Sequence, residues 1–184
     1  CVSVTGSHNP PDYNGLKMAI GGTTLALDAI QDLKKRIEDG NLKHGHGQRS
    51  SADVLGAYVE IIVGSVKLAR PMKIVMDCGN GVAGAIAPEL FKRLGCEIVP
   101  LFCEVDGNFP NHHPDPSKPE NLADVVKALQ ETDAEIGIAF DGDGDRLGVV
   151  TKDGEIIFPD RQLMLFAADV LSRVPGGTVI FDVK

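Results

Sequence analysis

Two apolar rhythms alternate along the chain. A period near two marks strands, and a period near 3.6 marks helices. Residues 1–6, CVSVTG, read as a short strand, and residues 15–22, GLKMAIGG, as a second strand ending in glycines. Residues 26–38 carry Leu27, Ile30, Leu33 and Ile37 at helical spacing. The polar, Gly-containing run DGNLKHGHGQRSS, 39–51, breaks that pattern and reads as a linker.

A second unit follows. Helices are expected at 52–68, 82–95, 120–132 and 160–173, with Gly95 as a helix stop. Strands are expected at 72–77, 96–102, 135–140 and 177–182. RLGVVTKDGEIIFP reads as two strands joined at Lys152-Asp153-Gly154, a hairpin signal. The β-α-β-loop-α-β order predicts an α/β protein with mixed, mostly parallel sheets covered by helices. A further α/β unit begins near Phe158.

Composition narrows the class. The chain has 184 residues, 43% of them hydrophobic, enough for one or two globular domains. Its formal net charge of −8 argues against a nucleic-acid surface. No apolar run approaches the roughly 18 residues of a membrane span. The N-terminal residues lack the pattern of a signal peptide. These features predict no nucleic-acid partner, no membrane association and a cytoplasmic location, with a monomer as the default. Cys1, Cys78, Cys96 and Cys103 contain no C-x-x-C pair and are expected to be reduced thiols. The start at Cys1 and the end on an apolar strand pattern suggest a fragment of a longer protein.

Three stretches carry candidate chemistry. In FDGDGDRLG, Asp141, Asp143 and Asp145 alternate with glycines directly after an apolar strand. The carboxylates can converge on one hard cation, and without it their charges repel. A solvated acidic turn is the plain alternative. A calcium loop fits less well, because Arg146 replaces the motif's glycine and Lys152 its bidentate Glu. Mg²⁺ fits better, with a phosphate oxygen as a further ligand. The second stretch, TGSHNPPDYNGLK, holds Ser7 and His8 among turn-forming residues. Ser7 needs a base or a metal to act as a nucleophile, and Lys17 is a further proton carrier. The third, GNGVAG at Gly79, Gly81 and Gly84, matches a dinucleotide-binding fingerprint, with Glu104 near the end of the next strand. His112 and His113 lack ligands at zinc spacing and are given a structural or surface role.

Together these residues resemble a known family. TGSHNPPDYNGLKM resembles the active-site serine loop of the α-D-phosphohexomutases, and DGDGDR their magnesium loop. DCGNGVAGAIAPELFKRLGCEI and the segment through LFCEVDGNFPNHHPDPSKPENL are similar to their second domain. The PPDYNG form of the serine loop is most like the bacterial phosphomannomutase/phosphoglucomutase branch. The resemblance implies four domains. Residues 1–50 would end the first, 53–155 form the second, and 156–184 begin a truncated third.

It also implies a mechanism. Phosphate carried on Ser7 passes to a mannose or glucose 1- or 6-phosphate. The resulting glucose or mannose 1,6-bisphosphate returns its other phosphate to Ser7. Ser7, Asp141, Asp143 and Asp145 hold Mg²⁺. Arg146 and Lys17 offset negative charge, and Lys17 or His8 serves as general acid/base, with Lys17 favoured. GNGVAG then becomes a strand-to-helix turn with Gly81 and Gly84 as packing positions. This chain alone is expected to be inactive. The alternatives are a non-catalytic Mg²⁺-binding fragment and a phosphoglucosamine mutase.

Overall fold

A computed structural model describes residues 1–6, 9–10 and 12–182. Two sheets form. In the first, β1 (Val2–Thr5), β2 (Gly15–Ile20) and β3 (Thr23–Thr24) run antiparallel in sequence order. The second contains β4 (Lys73–Asp77), β5 (Glu97–Leu101), β6 (Ile136–Phe140), β7 (Leu147–Thr151) and β8 (Ile156–Ile157), ordered β5-β4-β6-β7-β8. The pairs β5–β4 and β4–β6 are parallel, while the hairpin-linked β6–β7 and β7–β8 are antiparallel. The α/β class with mixed sheets is as the apolar rhythm indicates, but the strands are not mostly parallel. Among the described residues only β5–β4 and β4–β6 pair in parallel, and the other four strand pairs are antiparallel, because short loops and hairpins join their strands.

The helices are α1 (Asp28–Glu38), α2 (Leu55–Ser65), α3 (Ala87–Arg93), α4 (Ala123–Glu131) and α5 (Pro159–Arg173). Period-two alternation in β4 explains the layers. Val75 points towards α4, where it joins Leu122, Val125, Leu129, Ala139 and Val150. Ile74, Met76 and Cys78 point the other way and pack with Ala87, Cys96 and Ile138 on the α3 side. The sheet thus has one helix on each face, and burying both faces is what continuous apolar strands require. At Gly137 an added Cβ would lie 2.3 Å from Val125 Cγ1, so the missing side chain lets α4 approach β6.

Three sequence expectations change. The helix expected at 82–95 is a single 3₁₀ turn, Val82–Ala85, followed by α3. An unbroken helix would place Pro88 in its interior, where the ring clashes and an N–H is missing. The break at Ile86 puts Pro88 in the first turn of α3, where neither cost arises. The helix expected at 120–132 likewise starts as a 3₁₀ turn, Pro119–Leu122. Residues 177–182 form no strand. They pair with no other strand among the described residues, and Ile180 is 88% exposed. An apolar pattern without a hydrogen-bonding neighbour does not make a ladder. Residues 41–54 form neither helix nor strand. Among the described residues, no helix is long and apolar enough to cross a membrane.

Candidate metal and phosphate site

The parallel pairing of β4 and β6 brings the carboxyl ends of both strands to one edge of the sheet. Ligands commonly bind at this edge in α/β sheets. The turn after β4 is Gly79-Asn80-Gly81, and the loop after β6 is 141–146. They touch closely. A Cβ on Gly81 would fall 2.8 Å from the Gly142 carbonyl oxygen, and the Val82 N–H donates to that same oxygen at 3.1 Å. A Cβ on Gly84 would fall 2.1 Å from the Cys103 carbonyl oxygen. The glycine spacing that imitates a nucleotide fingerprint serves here to seat the acidic loop.

That loop wraps around Asp141, which is fully buried. Asp141 Oδ1 accepts the Arg146 N–H at 3.0 Å, and the Asp141 carbonyl accepts the Gly144 N–H at 3.1 Å. Gly144 has φ +73°, a left-handed conformation that favours glycine. Asp141, Asp143 and Asp145 each offer an oxygen within 4.8 Å of the others. The N-terminal hairpin reaches the same place. The Thr5 hydroxyl donates to Asp143 Oδ2 at 2.7 Å, and Lys17 Nζ stands 4.0 Å from Asp145 Oδ2. The Lys17–Asp145 pair is exposed, so its own contribution to stability is small.

Two oxygens matter most. Asp141 Oδ2 and Asp143 Oδ1 are buried without a hydrogen-bond partner among the described residues. Such an orphan is costly unless something else satisfies it. Burial pushes the Asp141 carboxyl above its ordinary pKa, and the charges on Asp143 and Asp145 push in the same direction. Burial also opposes ionisation of Asp143. The Thr5 hydroxyl, then the neighbouring Asp141 carboxyl and the Lys17 charge, outweigh it and hold Asp143 below the usual value. A set of hard oxygen donors with two unsatisfied members suits a divalent cation such as Mg²⁺.

Asp143 and Asp145 form one wall of a groove of about 560 Å³ that Thr5, Asn9, Tyr13 and Lys17 also line, with Asp141 buried behind it. This is within the range of small-molecule sites. Arg146 lies beside it, with Nε 3.9 Å from Asp141 Oδ2 and Nη1 3.9 Å from Asp115 Oδ1. Ser7 and His8 lie outside the described residues. Their described neighbours Gly6 and Asn9 line the groove.

Comparison with known proteins agrees with this geometry. The sequence pattern of phosphoglucomutase/phosphomannomutase alpha/beta/alpha domain II matches residues 56–154, and that of domain I matches residues 1–44. The first spans more than half of the chain. The chain belongs to the phosphoglucomutase/phosphomannomutase family. It is 60% identical over 183 residues to a phosphomannomutase/phosphoglucomutase of Pseudomonas putida, and 65% identical over 185 residues to a phosphoglucomutase of Neisseria gonorrhoeae. Each match takes in 100% of this chain and 40% of the relative. The crystal structure of a phosphoglucomutase/phosphomannomutase family protein from Burkholderia thailandensis superposes with a TM-score of 0.92 at 65% identity. That superposition covers 96% of this chain and 38% of the other. The chain therefore spans about 40% of the length of the curated relatives it matches.

Sequence reasoning did not anticipate several contacts in this part of the fold. That of Thr5 was one, since a threonine ending a strand gives no signal of the Asp143 contact 138 residues away. Asp77 and His112 were another pair. Asp77 is fully buried, with Oδ1 accepting the Gly79 N–H at 2.7 Å and Oδ2 standing 3.0 Å from His112 Nε2. His112 Nδ1 is 2.9 Å from the His113 carbonyl. Both ring nitrogens thus face acceptors, and the Asp77 carboxylate raises the His112 pKa. A carboxylate ending the apolar run MKIVMD was the available signal.

Proposed function

We propose that the chain is a segment of a longer phosphohexomutase that interconverts the 1- and 6-phosphates of glucose and mannose. Residues 1–50 would belong to its first domain, 53–155 to its second and 156–184 to a third. The matches to the domain I pattern at 1–44 and the domain II pattern at 56–154 support the first two parts. One observation carries the reading. Three carboxylates converge, two of them with a buried oxygen that has no partner among the described residues, and Asp143 and Asp145 share a groove with Gly6, Asn9 and Pro10, the described residues that flank Ser7.

In this reading Ser7 carries the phosphoryl group. Asp141, Asp143 and Asp145 hold Mg²⁺, which when bound neutralises phosphoryl charge and the developing charge on the seryl oxygen. Phosphoryl transfer depends on positioning and charge neutralisation, and the residues of this chain divide that work. Thr5 fixes one oxygen of Asp143. Lys17 and Arg146 bring cationic charge to the groove. Lys17 is the favoured general acid/base, with His8 as the alternative. The hexose phosphate enters as substrate, and a hexose 1,6-bisphosphate forms as intermediate and activator.

The test is conversion of glucose 1-phosphate to glucose 6-phosphate by the complete protein, primed with a trace of glucose 1,6-bisphosphate. Turnover that disappears in Ser7→Ala is the expected result. Metal binding by the complete protein without any turnover would overturn the proposal and leave a non-catalytic metal-binding role. Exclusive turnover of glucosamine phosphate would overturn the sugar assignment.

A further inference from the structure

Cys78 and Cys103 meet behind the site. Cys78 directly follows β4 and is fully buried, whereas Cys103 lies two residues past β5 and is partly exposed. The parallel register pairs Asp77 with Leu101, so both cysteines leave the sheet side by side. Their sulfurs are 3.4 Å apart. Backbone bonds clamp the two segments on either side of the sulfurs. The Cys78 N–H donates to the Leu101 carbonyl at 3.0 Å, and the Asn80 N–H to the Phe102 carbonyl at 2.7 Å. A disulfide S–S bond is about 2.05 Å long, so the sulfurs need to close by little more than an ångström.

We propose that Cys78 and Cys103 form a dithiol–disulfide redox site, oxidised by hydrogen peroxide and reduced by a small dithiol. Their unequal surroundings divide the chemistry. Cys103 is the less buried of the two residues, although its sulfur also lies near the Leu101 carbonyl at 3.4 Å and the Met76 carbonyl at 3.9 Å. Once ionised it accepts a hydrogen bond from the Cys78 thiol, which holds Cys103 below the ordinary thiol pKa against the opposing effect of burial. The same contact, together with burial, pushes Cys78 up. Cys103, the less buried residue, is therefore the nucleophile and the fully buried Cys78 the resolving thiol.

The steps balance. The Cys103 thiolate attacks one peroxide oxygen, the O–O bond breaks, and the departing oxygen takes a proton and leaves as water. Cys103 becomes a sulfenic acid. The Cys78 sulfur then attacks the Cys103 sulfur as its own proton transfers to the sulfenic oxygen. The S–O bond breaks and a second water leaves. Two thiols have lost two electrons, and one peroxide has become two waters. A dithiol reverses the reaction by forming its own disulfide.

Cys96 and Cys1 are the internal controls. Cys96 is buried, and Cys1 is exposed. The experiment treats the folded full chain with hydrogen peroxide, alkylates it under denaturing conditions and maps the cysteines by mass spectrometry, with and without dithiothreitol. The expected product has lost two of the four thiols and the mass of two hydrogens. The linkage joins Cys78 to Cys103, Cys96 stays alkylatable, and dithiothreitol restores both thiols. In Cys103→Ser the Cys78 thiol survives, and in Cys78→Ser dimedone captures a sulfenic acid at Cys103. Cys78 and Cys103 both remaining alkylatable while Cys1 oxidises would overturn the proposal. Equal loss of the Cys78 thiol in Cys103→Ser would do the same.

Discussion

Asp143 uses its two oxygens differently. Oδ2 takes the Thr5 hydroxyl, while Oδ1 is buried without a hydrogen-bond partner among the described residues. Asp143→Asn keeps the shape but puts an amide where a cation-binding oxygen belongs. In the complete protein this should lower kcat/KM by about a hundredfold or more, with unfolding free energy changed by less than about 0.5 kcal/mol. Steady-state assay and urea denaturation check both halves, and wild-type rates would remove Asp143 from the metal site. His112 makes a separate prediction. Its pKa is raised in the fold, above an unfolded value of about 6.5. The stability it contributes is therefore complete below about pH 6.5. It is lost as pH rises through the raised value. The urea midpoint should fall over that window in wild type and not in His112→Gln. His112→Ala leaves Asp77 buried without its ring partner and should cost about 3 kcal/mol. The acidic loop was legible because its members sit two residues apart, within reach of one cation. The Thr5 and His112 contacts were not, because folding alone brings together residues 138 and 35 positions apart.

Turns decide more than strands do at the level of elements. The Gly79–Gly84 segment connects β4 to the 3₁₀ turn, presses Gly81 against Gly142 and lays Gly84 on the Cys103 backbone. A Cβ at position 84 would collide with a carbonyl that strand pairing holds nearby. Gly84→Ala should cost about 2 kcal/mol, at the middle of the range for overpacking. Thermal unfolding measures it, and a neutral substitution would show that the turn yields freely. The apolar rhythm located β4, β6, the 147–157 hairpin and the cores of α3 and α4. It did not show that Pro88 splits a helix in two, though the residue was visible, because periodicity counts apolar positions and ignores a missing donor. It also gave 177–182 as a strand, since a pattern carries no information about whether a partner strand lies alongside.

The whole molecule sets an acidic loop at the carboxyl edge of an α/β sheet and brings an antiparallel hairpin against it. That arrangement places Asp143 and Asp145 on one groove with Gly6, Asn9 and Pro10, but only about 40% of the relatives' length is here. Sugar recognition by a mutase needs contacts on both ends of a bisphosphate, so this chain alone should show no conversion of glucose 1-phosphate under conditions where the complete protein turns over. Measurable turnover by the chain alone would show that the remaining length is dispensable. The phosphoryl carrier is the central claim, and one measurement addresses it directly. The complete protein is incubated with a hexose 1,6-bisphosphate and Mg²⁺, and the peptide containing Ser7 is weighed by tandem mass spectrometry. A single phosphoryl group on Ser7, absent from Ser7→Ala, is the predicted result. An unmodified Ser7 peptide, or phosphate mapped to another residue, would contradict it.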